Sequence, residues 1–415
     1  MSNHKPTTRS LAGIASAVFL FLCSPLCIAQ LAQFPDAHNK PPAGWTGPVF
    51  KLRQDYPATL PPPETKPWEG FSFETQPMEY VKSVLGYCIE GNVSADWQLE
   101  NNHTRSWYHV PWLDTTNNGR EFVRGLTLER SSRPKELAPT QTSTFSNWAV
   151  GMYNANGGYV VGQVWKDHNS PDPTAAKFPD GTVSCKLLFT TATPAQVPSL
   201  KNSFEWQADV SLAGSTNRSI QTVRLLQVDV AVRDTRADAT TGWVFGTFVY
   251  DGNASGQTPW DRLVPVGVMW GNDPTVTSAT KTTSTHLVQT FINPTIGPPQ
   301  HLGRAGRLNG PVDNPKSSCL SCHSTAQYEA VSAVMPASGA TTVQTMRWFQ
   351  NVKSGTAFDT GQQSLDYSLQ LSLGIQRFHQ AHPTATIHAA TANVAAPKTK
   401  KKVYPVHRGS GEPNP

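Results

Sequence analysis

The residues with the most distinctive chemical spacing are Cys319-Leu320-Ser321-Cys322-His323. Two thiols separated by two residues can add to the two vinyl groups of a haem as thioethers, and the imidazole that follows falls under the iron as an axial ligand. The chain has only 6 cysteines in 415 residues, so this pattern is not expected by chance. Cys319, Cys322 and His323 therefore predict one covalently attached haem c per chain, with His323 as the proximal iron ligand.

Two other kinds of site use cysteines at this spacing. Structural zinc needs four protein ligands, and the sequence has no second Cys/His pair at finger-like spacing. A thiol–disulfide motif would follow a strand in a thioredoxin-like unit, whereas residues 314–318, Asn-Pro-Lys-Ser-Ser, precede this one. The sequence favours haem attachment over both.

The group on the opposite face of the iron decides between electron transfer and ligand binding. Met335, followed by Pro336, resembles the Met-Pro segment that ligates iron in small soluble c-type cytochromes. In those proteins several dozen residues separate the methionine from the haem motif, whereas Met335 follows His323 by twelve positions. Three alternatives remain: Met335 as the distal ligand, an ordinary core methionine there, and an open sixth coordination position.

The first 29 residues predict a cleaved secretory signal peptide. Lys5 and Arg9 precede an apolar run over residues 11–22, which is the order of a signal sequence. A membrane span needs about 20 apolar residues, and Pro25 interrupts this run. We therefore expect a periplasmic or otherwise exported protein with no transmembrane segment after signal removal. Bacterial c-type haem is attached outside the cytoplasm, so export agrees with the haem motif.

Composition divides the rest of the chain into four segments. They are a Pro-rich lead-in (30–70), a β-rich domain (71–300), a c-type haem-binding segment (301–385) and a disordered basic tail (386–415). The formal net charge is +5, and most of it comes from the lysines of the tail. The body therefore offers no basic face for nucleic acid.

Short β-prone runs broken by turn residues, from about Asn92 to Ile292, predict an antiparallel sheet or barrel. The clearest predicted strands are residues 158–165, 183–189, 223–232 and 243–250. Apolar spacing predicts helices at 77–87, 326–334, 341–352 and 364–379. The predicted class is mainly β with a C-terminal helical haem-binding segment, α+β overall.

Cys88 and Cys185 are the cysteines that remain outside the signal peptide and the haem motif. In an oxidising compartment they can form a disulfide. Two separate buried thiols explain them equally well. The sequence leaves both alternatives open.

The order of a β region and a C-terminal haem motif resembles the cytochrome c′-β group. Its relatives include hydroxylamine-oxidising cytochromes with a lysine cross-linked to haem. The resemblance spans roughly residues 145–335, and its motifs lie at 178–183 before Lys186, at 230–234, at 242–246 and at the haem motif. It implies a five-coordinate haem in a β-rich pocket that binds a small ligand. It also makes Lys186 the candidate for a cross-link, against the alternative of an ordinary strand-edge lysine.

These patterns lead to three functional hypotheses, the third of which is a binding module whose β domain recognises a ligand or partner while the haem acts as a sensor or a point of electron transfer. The first is an exported mono-haem c-type cytochrome that transfers one electron at a time to or from a redox partner protein. The alternative is an open-iron haem enzyme, or a small-ligand-binding haem protein, that acts on a small nitrogen or oxygen compound. The large β region keeps the alternative in play, because a bare electron carrier needs a much shorter chain.

Overall fold

The computed structural model describes residues 1–2, 33–277, 287–296, 301–385 and 387. The predicted signal peptide and basic tail therefore lie outside the described residues, apart from Met1, Ser2 and Ile387. The described residues from Gln33 onward belong to one compact unit. None of the helices in these ranges is both long and apolar enough to cross a membrane.

A nine-stranded antiparallel sheet forms the centre of the fold. Its strands are β1 (Trp107–Tyr108), β2 (Thr127–Leu128), β3 (Asn147–Asn154), β4 (Val183–Thr190), β5 (Glu205–Ser211), β6 (Arg218–Arg233), β7 (Trp243–Tyr250), β8 (Leu263–Met269) and β9 (Thr290–Ile292). The main path is β1-β3-β4-β6-β7-β8-β9, while β2 pairs with β3 and β5 pairs with β6. The predicted, mainly β antiparallel class is confirmed.

Five α-helices and a small second sheet complete the described structure. The helices are α1 (Pro77–Ile89), α2 (Ala155–Val164), α3 (Cys319–His323), α4 (Thr342–Met346) and α5 (Leu369–Ala381). The second sheet pairs β10 (Gln327–Tyr328) with β11 (Gln363–Ser364). The helix predicted at 77–87 is confirmed as α1, and Pro77 occupies its first turn, where no backbone N–H is needed.

Two predicted elements are wrong. Residues 158–165 form most of α2 rather than a strand, because the Asn154 side chain caps the helix by accepting the Gly157 N–H. The β-branched pair Val160 and Val161 suggested a strand, yet both are buried on a helix. Residues 326–334 are not helical, because Gln327 pairs with the distant Ser364 in a ladder.

The other two C-terminal helices are shorter than predicted. Helix α4 ends at Met346, well before residue 352. Helix α5 begins after residue 364, because Asp366 and Tyr367 adopt positive φ angles of 47° and 67° and Ser368 then caps the helix. The helical pattern was therefore correct for the second half of residues 364–379.

One face of the sheet is covered by α1, and we call it the α1 face. Cys185, Val230 and Gly246 lie opposite one another across β4, β6 and β7, so they share this face. A Cβ on Gly246 would lie 2.2 Å from Val81 Cγ2, so the glycine permits the close approach of α1. The α1 face belongs to a large, continuous apolar cluster.

The opposite face of the sheet looks toward α5, and we call it the α5 face. Gly151, Lys186, Asp229 and Thr247 lie opposite one another across β3, β4, β6 and β7. A second apolar cluster joins this face to α3 and α5; it contains Tyr153, Phe245, Leu320, Ile375 and Phe378. The haem motif therefore lies on the α5 face of the sheet.

The Pro-rich lead-in packs on the same side as the second cluster. Its described residues, 33–70, form no helix or strand. Phe34 and Leu52 are buried in the second cluster. The backbone N–H of Phe50 donates to the carbonyl of Phe122 at 2.7 Å. The lead-in is thus an extended segment that packs against the second apolar cluster, and we call residues 33–70 the strap.

Candidate functional site

A cavity that is partly open to solvent lies between the α5 face of the sheet and α5. Its walls are strands β3, β4, β6 and β7, helix α5 and the segment from Leu113 to Glu129.

The short helix α3 presents the two thiols of the haem motif. Ser318 and Ser321 form a capping box at its start, in which each side chain accepts the other residue's backbone N–H. Cys319 and Cys322 are three residues apart on this turn, so their side chains lie on the same side. Both cysteines are buried, with 9% of their surface exposed. The Thr247 hydroxyl lies 3.8 Å from Cys319 Sγ, which places the thiol beside β7.

His323 lines the cavity in a fixed orientation. Its Nδ1 lies 2.9 Å from the carbonyl oxygen of Tyr367, and its ring centroid is 4.8 Å from that of Phe245. A carbonyl oxygen can only accept, so Nδ1 carries the proton of the neutral imidazole. A metal-bound histidine commonly donates its other ring N–H in this way, so Nε2 is the nitrogen that would bind a metal.

A buried carboxylate holds the loop that supplies the Tyr367 carbonyl. The Asp366 side chain accepts the indole N–H of Trp243 at 3.0 Å and the backbone N–H of Phe178 at 3.1 Å. It also accepts the backbone N–H of Gly355 at 3.2 Å. The left-handed backbone at Asp366 and Tyr367 directs the carbonyl to the imidazole. Sequence reasoning missed this support, since nothing local to residues 366–367 indicates it.

Lys186 lines the same cavity as His323. Its Nζ forms an ion pair with Glu129 Oε1 at 2.7 Å, and the two side chains are 17% and 10% exposed. Lys186 also lies directly across from Asp229 in the sheet. The structure therefore brings this lysine and His323 to one cavity, whereas Cys319 and Cys322 are not among the residues that line it. A covalent link between them stays a prediction.

Met335 does not line the cavity. It is half-buried against the second apolar cluster. Among the described residues that form the cavity wall, His323 is the only histidine and there is no methionine. The role of Met335 as distal ligand stays a prediction, and it requires a rearrangement of the segment after β10.

Cys88 and Cys185 lie on the other face of the sheet, in the first apolar cluster. Both are fully buried free thiols, and the Cys88 thiol contacts that of Cys185. Burial, and then this contact, raises the pKa of Cys88 well above its usual value. The alternative of a bridged pair is therefore not the state that the structure describes.

Sequence reasoning missed two buried arginines in the cavity wall, Arg120 and Arg377. They are far apart in the chain, so no local spacing links them. One signal was present: Arg377 interrupts the apolar stripe of α5 between Leu373 and Phe378. A charged residue inside such a stripe often marks a polar contact in the interior.

No group of three or more His, Cys, Asp or Glu side chains in the described ranges is placed to hold a metal ion. Haem iron needs only an axial ligand from the protein, because the porphyrin supplies the other donors. The residues of the site fit that requirement. No protein-family model matches the chain, and no curated protein matches its sequence.

Proposed function

We propose that this chain is an exported c-type cytochrome that holds one haem c in the cavity on the α5 face. Cys319 and Cys322 would carry the thioethers, and His323 would be the proximal ligand. One observation carries the proposal: the carbonyl of Tyr367 holds His323 at the cavity with Nδ1 engaged, 2.9 Å away. This is the arrangement in which an imidazole offers Nε2 to a metal.

The lining of the cavity supports the same cofactor. Trp243, Phe245, Leu369 and Leu373 give it apolar walls for the faces of a macrocycle. The Cys319 thiol lies 3.8 Å from the Thr247 hydroxyl of β7, the strand that also supplies Trp243 and Phe245 to the cavity wall. When bound, the haem supplies an iron that changes between ferrous and ferric and binds axial ligands.

Of the three functional hypotheses, the geometry best supports an open-iron haem protein that acts on a small nitrogen or oxygen compound. Lys186 and Glu129 place an ammonium and a carboxylate in the cavity wall, 2.7 Å apart. The Lys186 ammonium can donate a hydrogen bond to a small ligand, and the Glu129 carboxylate can accept a proton from that ligand. A bare electron carrier needs neither group.

One-electron transfer to a redox partner protein is the second candidate. Part of the cavity opens to solvent and His323 is only partly buried, which would leave the haem near the surface. An exposed haem edge suits electron exchange with a partner. In this case a sixth protein ligand such as Met335 would close the iron.

The attachment is tested on purified, full-length protein expressed with a haem-attachment system. We expect intact mass and the alkaline pyridine spectrum to show one haem with two thioethers. Cys322→Ser should leave a single thioether, with its characteristic shift of the spectrum. Cys88→Ser is the matched control and should keep both. Full two-thioether stoichiometry in Cys322→Ser protein would refute the attachment.

The role of the iron is tested by spectra of the reduced protein with and without carbon monoxide. An open iron predicts a high-spin spectrum that shifts with carbon monoxide. A sharp low-spin spectrum that ignores carbon monoxide would instead favour the electron carrier. In that event Met335→Ala should convert the spectrum to high spin. Met346→Ala, a buried methionine on α4, is the control and should not.

A further inference from the structure

Arg120 and Arg377 place two positive charges in the interior, at the cavity wall. Only 1% and 5% of their surfaces are exposed. Loss of hydration lowers the pKa of each guanidinium to about 10. Within the described part of the chain, neither guanidinium forms an ion pair, that is, no carboxylate oxygen lies within 4.0 Å of its nitrogens.

The existing hydrogen bonds hold both guanidiniums, and they leave one nitrogen of Arg120 without a partner. Arg120 Nη2 donates to the Val110 carbonyl at 2.7 Å, and Arg377 Nη1 donates to the Leu113 carbonyl at 2.8 Å. Arg120 Nη1 is buried with no hydrogen-bond partner. Asp114 interacts electrostatically with both arginines, but burial raises the pKa of its carboxyl group.

Two adjacent buried cations without a direct counter-ion are unfavourable. A buried charge that is left without a partner is strongly destabilising. The cost is offset when an anion with oxygen acceptors binds, and a guanidinium suits a carboxylate because its N–H groups match both oxygens. The wall of the cavity is therefore built to receive anionic oxygens.

We infer that Arg120 and Arg377 bind the two propionate carboxylates of the haem. This inference rests on the proposed function. Two guanidiniums match two propionates in number and charge. It also gives the macrocycle an orientation, with its propionate edge toward the Val110–Leu113 segment, whose carbonyls hold both arginines.

The positions of the thiols agree with this orientation. Cys319 lies beside β7, whereas the segment that carries Arg120 leads into β2, which pairs with β3. From β3 to β7 the sheet has three strand spacings, or about 14 Å. The thiols and the arginines therefore approach the cavity from different sides. The vinyl and propionate groups of a haem likewise lie on different edges.

The test measures the haem midpoint potential from about pH 4 to 9 and the propionate bands in resonance Raman spectra. The variants are Arg120→Gln and Arg377→Gln in the holoprotein. Arg307→Gln is the matched control, because Arg307 is fully buried on backbone carbonyls and does not line the cavity.

In wild type and in the Arg307→Gln control, we expect a potential that changes little with pH, because paired propionates stay ionised. Each cavity variant should lower the potential, since the loss of a cation stabilises ferric iron. It should also add a step in which the potential falls as pH rises through the pKa of the released propionate. The propionate bands should shift in the same two variants. Arg120→Lys and Arg377→Lys keep the positive charge, so their pH-dependent step in potential should be weaker than that of the glutamine variants. If a glutamine variant does not fold, the corresponding lysine variant tests the inference in its place.

Three results would overturn the inference, and they are distinguishable. Unchanged pH profiles and propionate bands in haem-loaded cavity variants would place the propionates elsewhere. Saturable shifts of the wild-type spectrum by inorganic phosphate or nitrite, lost in Arg120→Gln, would show that the arginines hold a free anion instead. Wild-type protein without covalent haem would refute the proposed function first and this inference with it.

Discussion

The two faces of the sheet use the same strands for opposite purposes. Along β4, Cys185 and Leu187 point to α1 and are fully buried, while Ser184 and Lys186 alternate with them and line the cavity. The α1 face is filled by apolar side chains, whereas the α5 face keeps a cavity with charged groups in its wall. The period of two along a strand lets one element supply both core and site.

This difference separates stability from function within each strand. Substitutions on the α1 face should act on the free energy of unfolding, because every side chain there has close neighbours. On the α5 face, substitutions of uncharged residues should act mainly on what the cavity holds, whereas removal of one partner of the buried ion pair there should also lower the free energy of unfolding. The following variants test that separation.

The largest expected effect is the loss of a filled aromatic position on the α1 face. Phe248→Ala removes a fully buried ring from the first cluster and should lower the free energy of unfolding by about 3–5 kcal/mol. Phe245→Ala, on the same strand but at the cavity, should cost clearly less and instead disturb the packing of His323. Urea unfolding of both variants measures the contrast. Equal costs would mean that the two faces are equally well packed.

Removal of one partner from the cavity ion pair should have the next largest effect. Lys186→Met leaves the Glu129 carboxylate largely buried without its partner, so we expect a loss of about 3 kcal/mol. The double variant Lys186→Met with Glu129→Leu should recover most of that loss, because both charges leave the interior together. A double-mutant cycle by chemical denaturation measures the coupling. Additive losses would show that the pair contributes nothing as a unit.

Glycines on the two faces should respond differently to an added methyl group. Gly246→Ala meets the stiff Val81 side chain at 2.2 Å and should destabilise the protein by about 1–3 kcal/mol. Gly151→Ala meets the end of the flexible Gln370 side chain, at 2.5 Å from Nε2, so that side chain can move away. Its cost should stay below about 1 kcal/mol. The reverse order in thermal unfolding would contradict the packing described for α1.

The smallest expected effect is the loss of stability in acid that is caused by His109, whose side chain is hydrogen-bonded to Arg53 of the strap. Burial lowers the pKa of His109 well below 6.5, and its Nδ1 accepts the Arg53 N–H at 3.0 Å. The unfolded chain binds the proton near pH 6.5, so stability is complete above that pH and falls as pH drops toward the folded pKa, by about 1.4 kcal/mol per pH unit. His109→Gln keeps an acceptor and should flatten this slope between about pH 7 and 5. An unchanged slope in urea unfolding would assign the acid sensitivity to other groups.

The sequence was informative where the pattern is local. The alternation in residues 183–189 and 226–232 correctly predicts strands, and the spacing of the apolar residues in 77–87 correctly predicts α1. The prediction of haem attachment at Cys319, Cys322 and His323 is local as well, because five consecutive residues carry it, and it stays a prediction. The alternation of side chains along β4 also indicates where Lys186 points. Lys186 lies between the buried residues Cys185 and Leu187, so its side chain must face away from the α1 face.

The rest depended on partners distant in the chain. The carbonyl of Tyr367 reaches His323 only through a left-handed turn that Asp366 stabilises. Arg120 and Arg377 lie in the same part of the cavity wall because both guanidiniums donate hydrogen bonds to backbone carbonyls of the Val110–Leu113 segment. The strand predicted at 158–165 failed because a single cap at Asn154 outweighed the β preference of its valines. No window of neighbouring residues contains such information.

The strap of residues 33–70 also constrains the order of assembly. Phe34 and Leu52 precede the sheet in the chain, whereas α3 and α5 follow it, and all of them meet in the second cluster. Because a chain is synthesised from its N-terminus, the strands of the large sheet are complete before residues 319–323 have been made. A cofactor joined to α3 would therefore be enclosed as both ends of the chain close around it, rather than admitted through a finished entrance.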